Sequence, residues 1–364
     1  MRAVTSAFAT NLRRTAEIAL PCLATVLLAL GVAWWFRAPL VEKATKANGV
    51  DRVVLPALEK WAANPTPGTV RGVFFGDSLT MSLTSIGRGG SKDGVPVIVE
   101  KALRDAGTQI DLLALTHAAF RPLHLAYVLD DVLAGRPRFV VVELNLRLIA
   151  PTWDALPALR FLPLSRRLPL RRQLELAPFL REEGIGTLHP GVYRVQEALS
   201  LLYVMDGIRI TGSDWMSAQS SRVEGAFGLA RSDRQVQSLE RNDDRAAYAS
   251  RLADGPSAAI LHMLDRELAA AGVWTLYYVS PVNPDALAAA GVTDTAALAA
   301  RVDELRTAAG VPPERWLDLH ALLPASAFLD RMNHLRPSAL RTVATKVLHR
   351  LRPVVAGRGV APTR

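Results

Sequence analysis

A chain of 364 residues, half of them apolar, can bury a large core, and it exceeds one average domain without requiring two. Its net charge of +9, with arginine preferred to lysine, fits an acidic partner or an anionic membrane surface; no zinc pattern, RNP-like aromatic motif or lysine-rich tract supports nucleic acid. The single cysteine, Cys22, excludes an intramolecular disulfide and a cysteine-held metal cluster.

Ile18 to Phe36 is an uninterrupted apolar or neutral run of nineteen residues. At about 1.5 Å per residue it covers roughly the ~30 Å hydrocarbon core of a bilayer. Trp34, Trp35 and Phe36 close it as an interfacial aromatic belt, and Arg2, Arg13 and Arg14 precede it without an acidic residue before Glu17. The expectation is a cytoplasmic amino terminus at 1–17, a transmembrane signal anchor at 18–36, and a periplasmic or extracellular remainder. A cleaved signal peptide is the rival, but the run lacks an Ala-x-Ala exit. Cys22 after Pro21 is a poor context for a lipoprotein anchor, and Arg37, Lys43 and Lys46 weaken the charge asymmetry. Residues 37–69 read as a stalk, closing on the loop Asn64-Pro-Thr-Pro-Gly68.

A domain is expected over 70–364. Val73-Phe74-Phe75 is a short apolar run that stops at Gly76-Asp77-Ser78, as a strand buried on both faces does. The glycine- and serine-rich loop Ser85–Ser91 lacks P-loop spacing and reads as a rim. Val95 to Ala106 reads as a helix, Ile110 to Leu115 as a second strand, and a further helix follows Pro122 to about Leu133. Arg138 to Leu146 is a third strand, with Asn145 near its end. Trp274 to Val279 is a fourth, Arg315 to Leu319 a short fifth, and Pro337 to Leu351 the closing helix, with proline in its first turn. Strands alternating with helices at this spacing imply right-handed crossovers and a parallel sheet. Between the third and fourth strands lies an insert, about 151–245. Its arginines, Arg160, Arg166, Arg167, Arg171, Arg172 and Arg181, form either a lid against anionic lipid or acidic polymer, or a solvated helix face.

Ligands of open α/β sheets bind beyond the carboxyl ends of the strands, so Ser78 is placed as a nucleophile. Asp77 and Ser78 would otherwise be ordinary helix caps. Asp330 and His334, four apart in a loop before the closing helix, can face the same crevice. There His334 would take the serine proton and Asp330 would orient the imidazole. His117 and His124 are weaker candidates for the base. No His/Asp/Glu cluster has metal-ligand spacing and no dinucleotide fingerprint follows a strand, so neither metal nor cofactor is expected.

These blocks resemble the SGNH or GDSL hydrolases, and the membrane-tethered envelope esterases and O-acyltransferases among them. Gly76-Asp77-Ser78-Leu79 looks like the first block, Asn145 like the third-block asparagine, and Asp330 to His334 like the last. The resemblance implies a three-layer α/β/α sandwich, flavodoxin-like, with about five parallel strands, and covers most of 70–352 outside the insert. It implies an oxyanion hole from the amide of Ser78, an amide of Ala118 or Ala119, and the Asn145 side chain. Ala118 or Ala119 stands where the family has glycine, and Asn145 sits in Glu-Leu-Asn-Leu rather than Gly-x-Asn-Asp. Three residues separate Asp330 from His334 where the family usually has two. Strict spacing would put Asn333, which cannot act as a base, in the histidine's place; a one-residue loop adjustment restores His334. The implied function is a serine esterase or O-acyltransferase acting on an acylated glycan or lipid of the cell envelope. The alternative is a non-catalytic assembly or binding protein on the same fold.

Overall fold

The computed structural model describes residues 57–77, 79–80, 94–116, 120–150, 248–329 and 333–357, with the single positions Leu28, Gly31, Trp35 and Arg172. Most of the expected span 18–36, the first part of the stalk, the rim loop and nearly all of the insert lie outside the described residues. Leu28, Gly31 and Trp35 are helical, and Leu28 and Trp35 are exposed. Among the described residues no helix is long and apolar enough to cross a membrane. The chain divides into two compact units, and the sheet belongs to the one formed by Asn48–Pro190 and Ala230–Arg364.

Five strands form one parallel sheet: β1 (Val70–Gly76), β2 (Ile110–Thr116), β3 (Phe139–Leu144), β4 (Trp274–Val279) and β5 (Trp316–Asp318). Their spatial order is β2-β1-β3-β4-β5, and all four pairings are parallel. This is the doubly wound, flavodoxin-like order, whose switch point falls between β1 and β3. The α/β class and five-stranded parallel sheet expected from the sequence are observed.

The strands read as unbroken apolar runs because both faces are covered. Val73, Phe75, Val140, Val142, Tyr277 and Val279 point to one core, and Phe74, Phe139, Val141, Leu276 and Tyr278 point to the other. The first core is closed by α2 (Pro122–Ala134), α4 (Pro256–Ala270) and α6 (Thr295–Ala308), the second by α1 (Val95–Asp105) and α7 (Pro337–Val355). Two short helices, α3 (Leu146–Ile149) and α5 (Pro284–Ala289), lead out of β3 and β4. Helices α4, α5 and α6 have no counterpart in the sequence reading.

The closing helix runs four residues past Leu351, through Pro353, because Val354 and Val355 are still buried against the sheet. Ahead of β1, residues 57–63 are helical and bury Leu58 and Trp61 in the first core. Arg71 fixes that segment: its guanidinium lies 3.8 Å over the Trp61 ring, donates to the Trp61 and Gly135 carbonyls, and pairs with Asp111. Packing of the domain therefore starts before the first strand. Arg172, from the arginine-rich part of the insert, is buried and paired with Asp130 of α2 at 2.6 Å and Glu267 of α4 at 3.6 Å. For this arginine neither a lipid contact nor a solvated helix face applies.

Candidate active site

Strands β1 and β3 end side by side at the switch point. Gly76 closes β1 because no larger residue fits: a Cβ there would stand 2.7 Å from Glu143 Oε2 and 2.8 Å from Thr80 Cγ2. Asp77 then leaves the sheet almost fully buried. Its Oδ1 accepts from the Leu79 amide at 2.7 Å. Its carbonyl accepts from the Thr80 hydroxyl at 2.8 Å, and the Thr80 carbonyl accepts from the Val95 amide at 2.9 Å. The segment after β1 is thus tied to the start of α1.

Asn145 is the N-cap of α3 rather than the last residue of β3, its Oδ1 accepting from the Arg147 amide at 3.1 Å. Its Nδ2 donates to Asp77 Oδ2 at 2.7 Å. A carboxamide nitrogen carries two hydrogens, and the second has no partner among the described residues. First-block aspartate and third-block asparagine are therefore in direct contact, with one donor left over.

Glu143, two residues earlier in β3, is the residue that sequence reasoning missed. Its Oε2 accepts from the Asp77 amide at 2.7 Å, and its Oε1 accepts from the Ser280 hydroxyl at the end of β4. Burial raises the pKa of Asp77, opposed by the Asn145 carboxamide, the Leu79 amide, the Glu143 carboxyl and the charge of His334. Burial pushes Glu143 well above the ordinary glutamate range, and the Asp77 charge adds to it; the Ser280 hydroxyl and Asp77 amide pull the other way. Two carboxyl groups this close and this dry do not both ionise. Both carboxyls have a donor on each oxygen, and Glu143 is the one pushed further up, so burial drives it toward the neutral form. The signal was a single carboxylate in the otherwise apolar run Phe-Val-Val-Val-Glu-Leu.

His334 is half-buried and is the histidine whose charge reaches Asp77. It follows Asn333, one of two non-glycine residues with positive φ among the described residues, at 71°. Asparagine tolerates that left-handed conformation better than most residues. Asn333 Oδ1 accepts from the Asn283 amide at 2.8 Å and its Nδ2 donates to the Tyr248 hydroxyl at 2.9 Å. The side chain of Asn333 is thus held by two hydrogen bonds, and its backbone turns left-handed immediately before His334.

Two other histidines have partners elsewhere. His124 in α2 accepts the Arg121 amide on Nδ1 at 2.8 Å and stacks on Phe120, which stacks on Phe75. His320, which the sequence reading did not single out, is buried beyond β5 and donates from its amide and Nδ1 to Asp318. Ser78, His117, Ala118, Ala119 and Asp330 lie outside the described residues. Among the described residues no group of histidine, cysteine and acidic side chains could hold a metal.

No family model matches the chain, and no curated protein matches it. Solved structures do: a lipase/acylhydrolase from Enterococcus faecalis is 11% identical, covering 81% of this chain and 98% of its own at a TM-score of 0.39. The acetylxylan esterase Axe2 from Geobacillus stearothermophilus is 13% identical, with 82% and 98% covered and a TM-score of 0.37. A carbohydrate acetylesterase family member from Sinorhizobium meliloti is 16% identical, with 79% and 99% covered and a TM-score of 0.34. The fold stands on strand order and register rather than on these likenesses.

Proposed function

We propose that the chain is a serine esterase or O-acyltransferase of the SGNH type, acting on an acylated glycan or lipid on the outer side of a membrane. The observation that carries the reading is the meeting of three separate blocks at one strand mouth. Asn145 is bonded to Asp77, the residue before Ser78 in the chain, and the charge of His334 acts on the Asp77 carboxyl.

In this reading Ser78 Oγ attacks the acyl carbonyl while His334 takes its proton. The carbonyl oxygen becomes an oxyanion, held by the Ser78 amide, an amide of Ala118 or Ala119, and the spare Asn145 N–H. The leaving alcohol takes the proton back from His334 as the C–O bond breaks, leaving Ser78 acylated. Water or a second hydroxyl then repeats the sequence, which separates an esterase from a transferase only by the acceptor. Asp330 orients the imidazole. The envelope placement rests on the run 18–36 and the arginines before it, and the acyl substrate on the motif.

Labelling with a fluorophosphonate probe tests the chemistry. Wild type should be labelled, and Ser78→Ala and His334→Ala should not. With an acetyl ester substrate, both variants should lose turnover to a similar extent, and the double variant should be hardly worse than either, because members of one triad act as a unit. Equal labelling of wild type and Ser78→Ala would leave a binding protein on a hydrolase fold.

A further inference from the structure

We infer that Tyr248 is a positioning residue for His334, acting through the side chain of Asn333. The inference rests on the reading of His334 as the base. The loop that ends at His334 is closed on itself: Phe328 and Leu335 form an antiparallel bridge, the Leu329 amide donates to the His334 carbonyl at 2.7 Å, and the Arg336 amide donates to the Ala327 carbonyl at 2.9 Å. Closure fixes the ends of the loop but not the direction in which His334 leaves it.

That direction is set by Asn333. A left-handed residue reverses the local course of the chain, so rotation at its φ swings the next side chain directly. Two side-chain hydrogen bonds hold it there. The Asn283 amide donates to its Oδ1, and Asn283 is itself fixed as the N-cap of α5, accepting from the Asp285 amide at 3.0 Å. Its Nδ2 meets the Tyr248 hydroxyl. Tyr248 and Asn333 are each 1% exposed, so the bond between them is buried. Arg301 of α6 anchors Tyr248 by donating to its carbonyl at 2.8 Å.

In chain order Tyr248 is the third residue beyond the insert. The return from the insert is therefore bonded to the residue that aims the base, although nothing in the catalytic motifs includes it. Reactions of a held nucleophile and base are steep in geometry: a displacement of about 1 Å costs on the order of 10²-fold in rate.

Tyr248→Phe removes one oxygen and keeps the ring in the core, which makes it the informative variant. In the full-length protein kcat and the rate of fluorophosphonate labelling should fall by about tenfold or more, with KM within about twofold, a geometric loss smaller than full misplacement. Asn333→Gly, which keeps the left-handed backbone and loses both bonds, should match it, and the double variant should be no worse. The ring resonances of His334 should shift in Tyr248→Phe, a readout independent of turnover. Arg315→Lys, placed away from the site, should lower stability without moving kcat or those resonances. Tyr248→Phe with wild-type kcat, labelling rate and His334 resonances, and only a lowered melting temperature, would overturn the inference. Loss of Ser78 dependence would instead sink the esterase reading, and the resonances would still report whether Tyr248 aims His334.

Discussion

Glu143 shows what one buried proton does. Its folded-state pKa lies well above the unfolded value of 4.5, so the native state binds more protons than the unfolded chain. Stability from this group is fully present below pH 4.5 and declines as pH rises toward the folded value, with a slope of up to about 1.4 kcal/mol per pH unit. Asp77, also raised, adds to the same slope. Glu143→Gln carries the hydrogen-bonding pattern of the neutral acid at every pH. It should keep turnover within a few-fold and flatten the fall of unfolding free energy between pH 5 and 8, measured in urea; an unchanged slope would place the proton elsewhere. Asn145→Ala removes a donor and the brace on Asp77 together, and should lower turnover by about 10²–10³ while the protein stays folded. Gly76→Ala should fail to fold normally, since its methyl group would meet the Glu143 carboxyl and the Thr80 side chain.

Among the elements, α4 is joined to the turn before β5 by Arg315, which donates to both carboxylate oxygens of Asp265 at 2.8 and 2.9 Å. Burial outweighs the guanidinium and leaves the Asp265 carboxyl raised, so the pair specifies geometry more than it stabilises. Arg315→Met alone would strand a carboxylate at 11% exposure and should cost about 3 kcal/mol. Asp265→Leu together with Arg315→Met should restore most of that loss in denaturant titrations. A double variant as unstable as the single one would show that the ion pair itself carries the stability. Strand β3 has a different constraint: all six of its residues are buried, so it reads as core and hides its one charged member.

For the molecule as a whole, the span and the motif make separate claims that separate measurements check. A reporter fused after Arg364 should behave as exported, and the full-length protein should stay membrane-bound at high salt, which screens charge contacts but does not extract an apolar helix. A fusion active only in the cytoplasm would remove the envelope substrate and leave the strand-mouth chemistry untouched, because that chemistry depends on β1, β3 and the last loop.

The sequence by itself determined the sheet. Strands buried on both faces must be continuous apolar runs, and Val73-Phe74-Phe75, Phe139–Leu144 and Trp274–Val279 announce themselves by that requirement. It also singled out Asn145, which the structure places against Asp77. Partnership was decided only by the tertiary structure. The Glu143 carboxyl is pushed well above the ordinary glutamate range because β1 and β4 end against it, 66 and 137 positions away in the chain. Asn333 is engaged because Tyr248 and Asn283 meet its side chain, and its backbone turns left-handed. Burial and long-range hydrogen bonds set these roles, and both come into being only when distant segments meet.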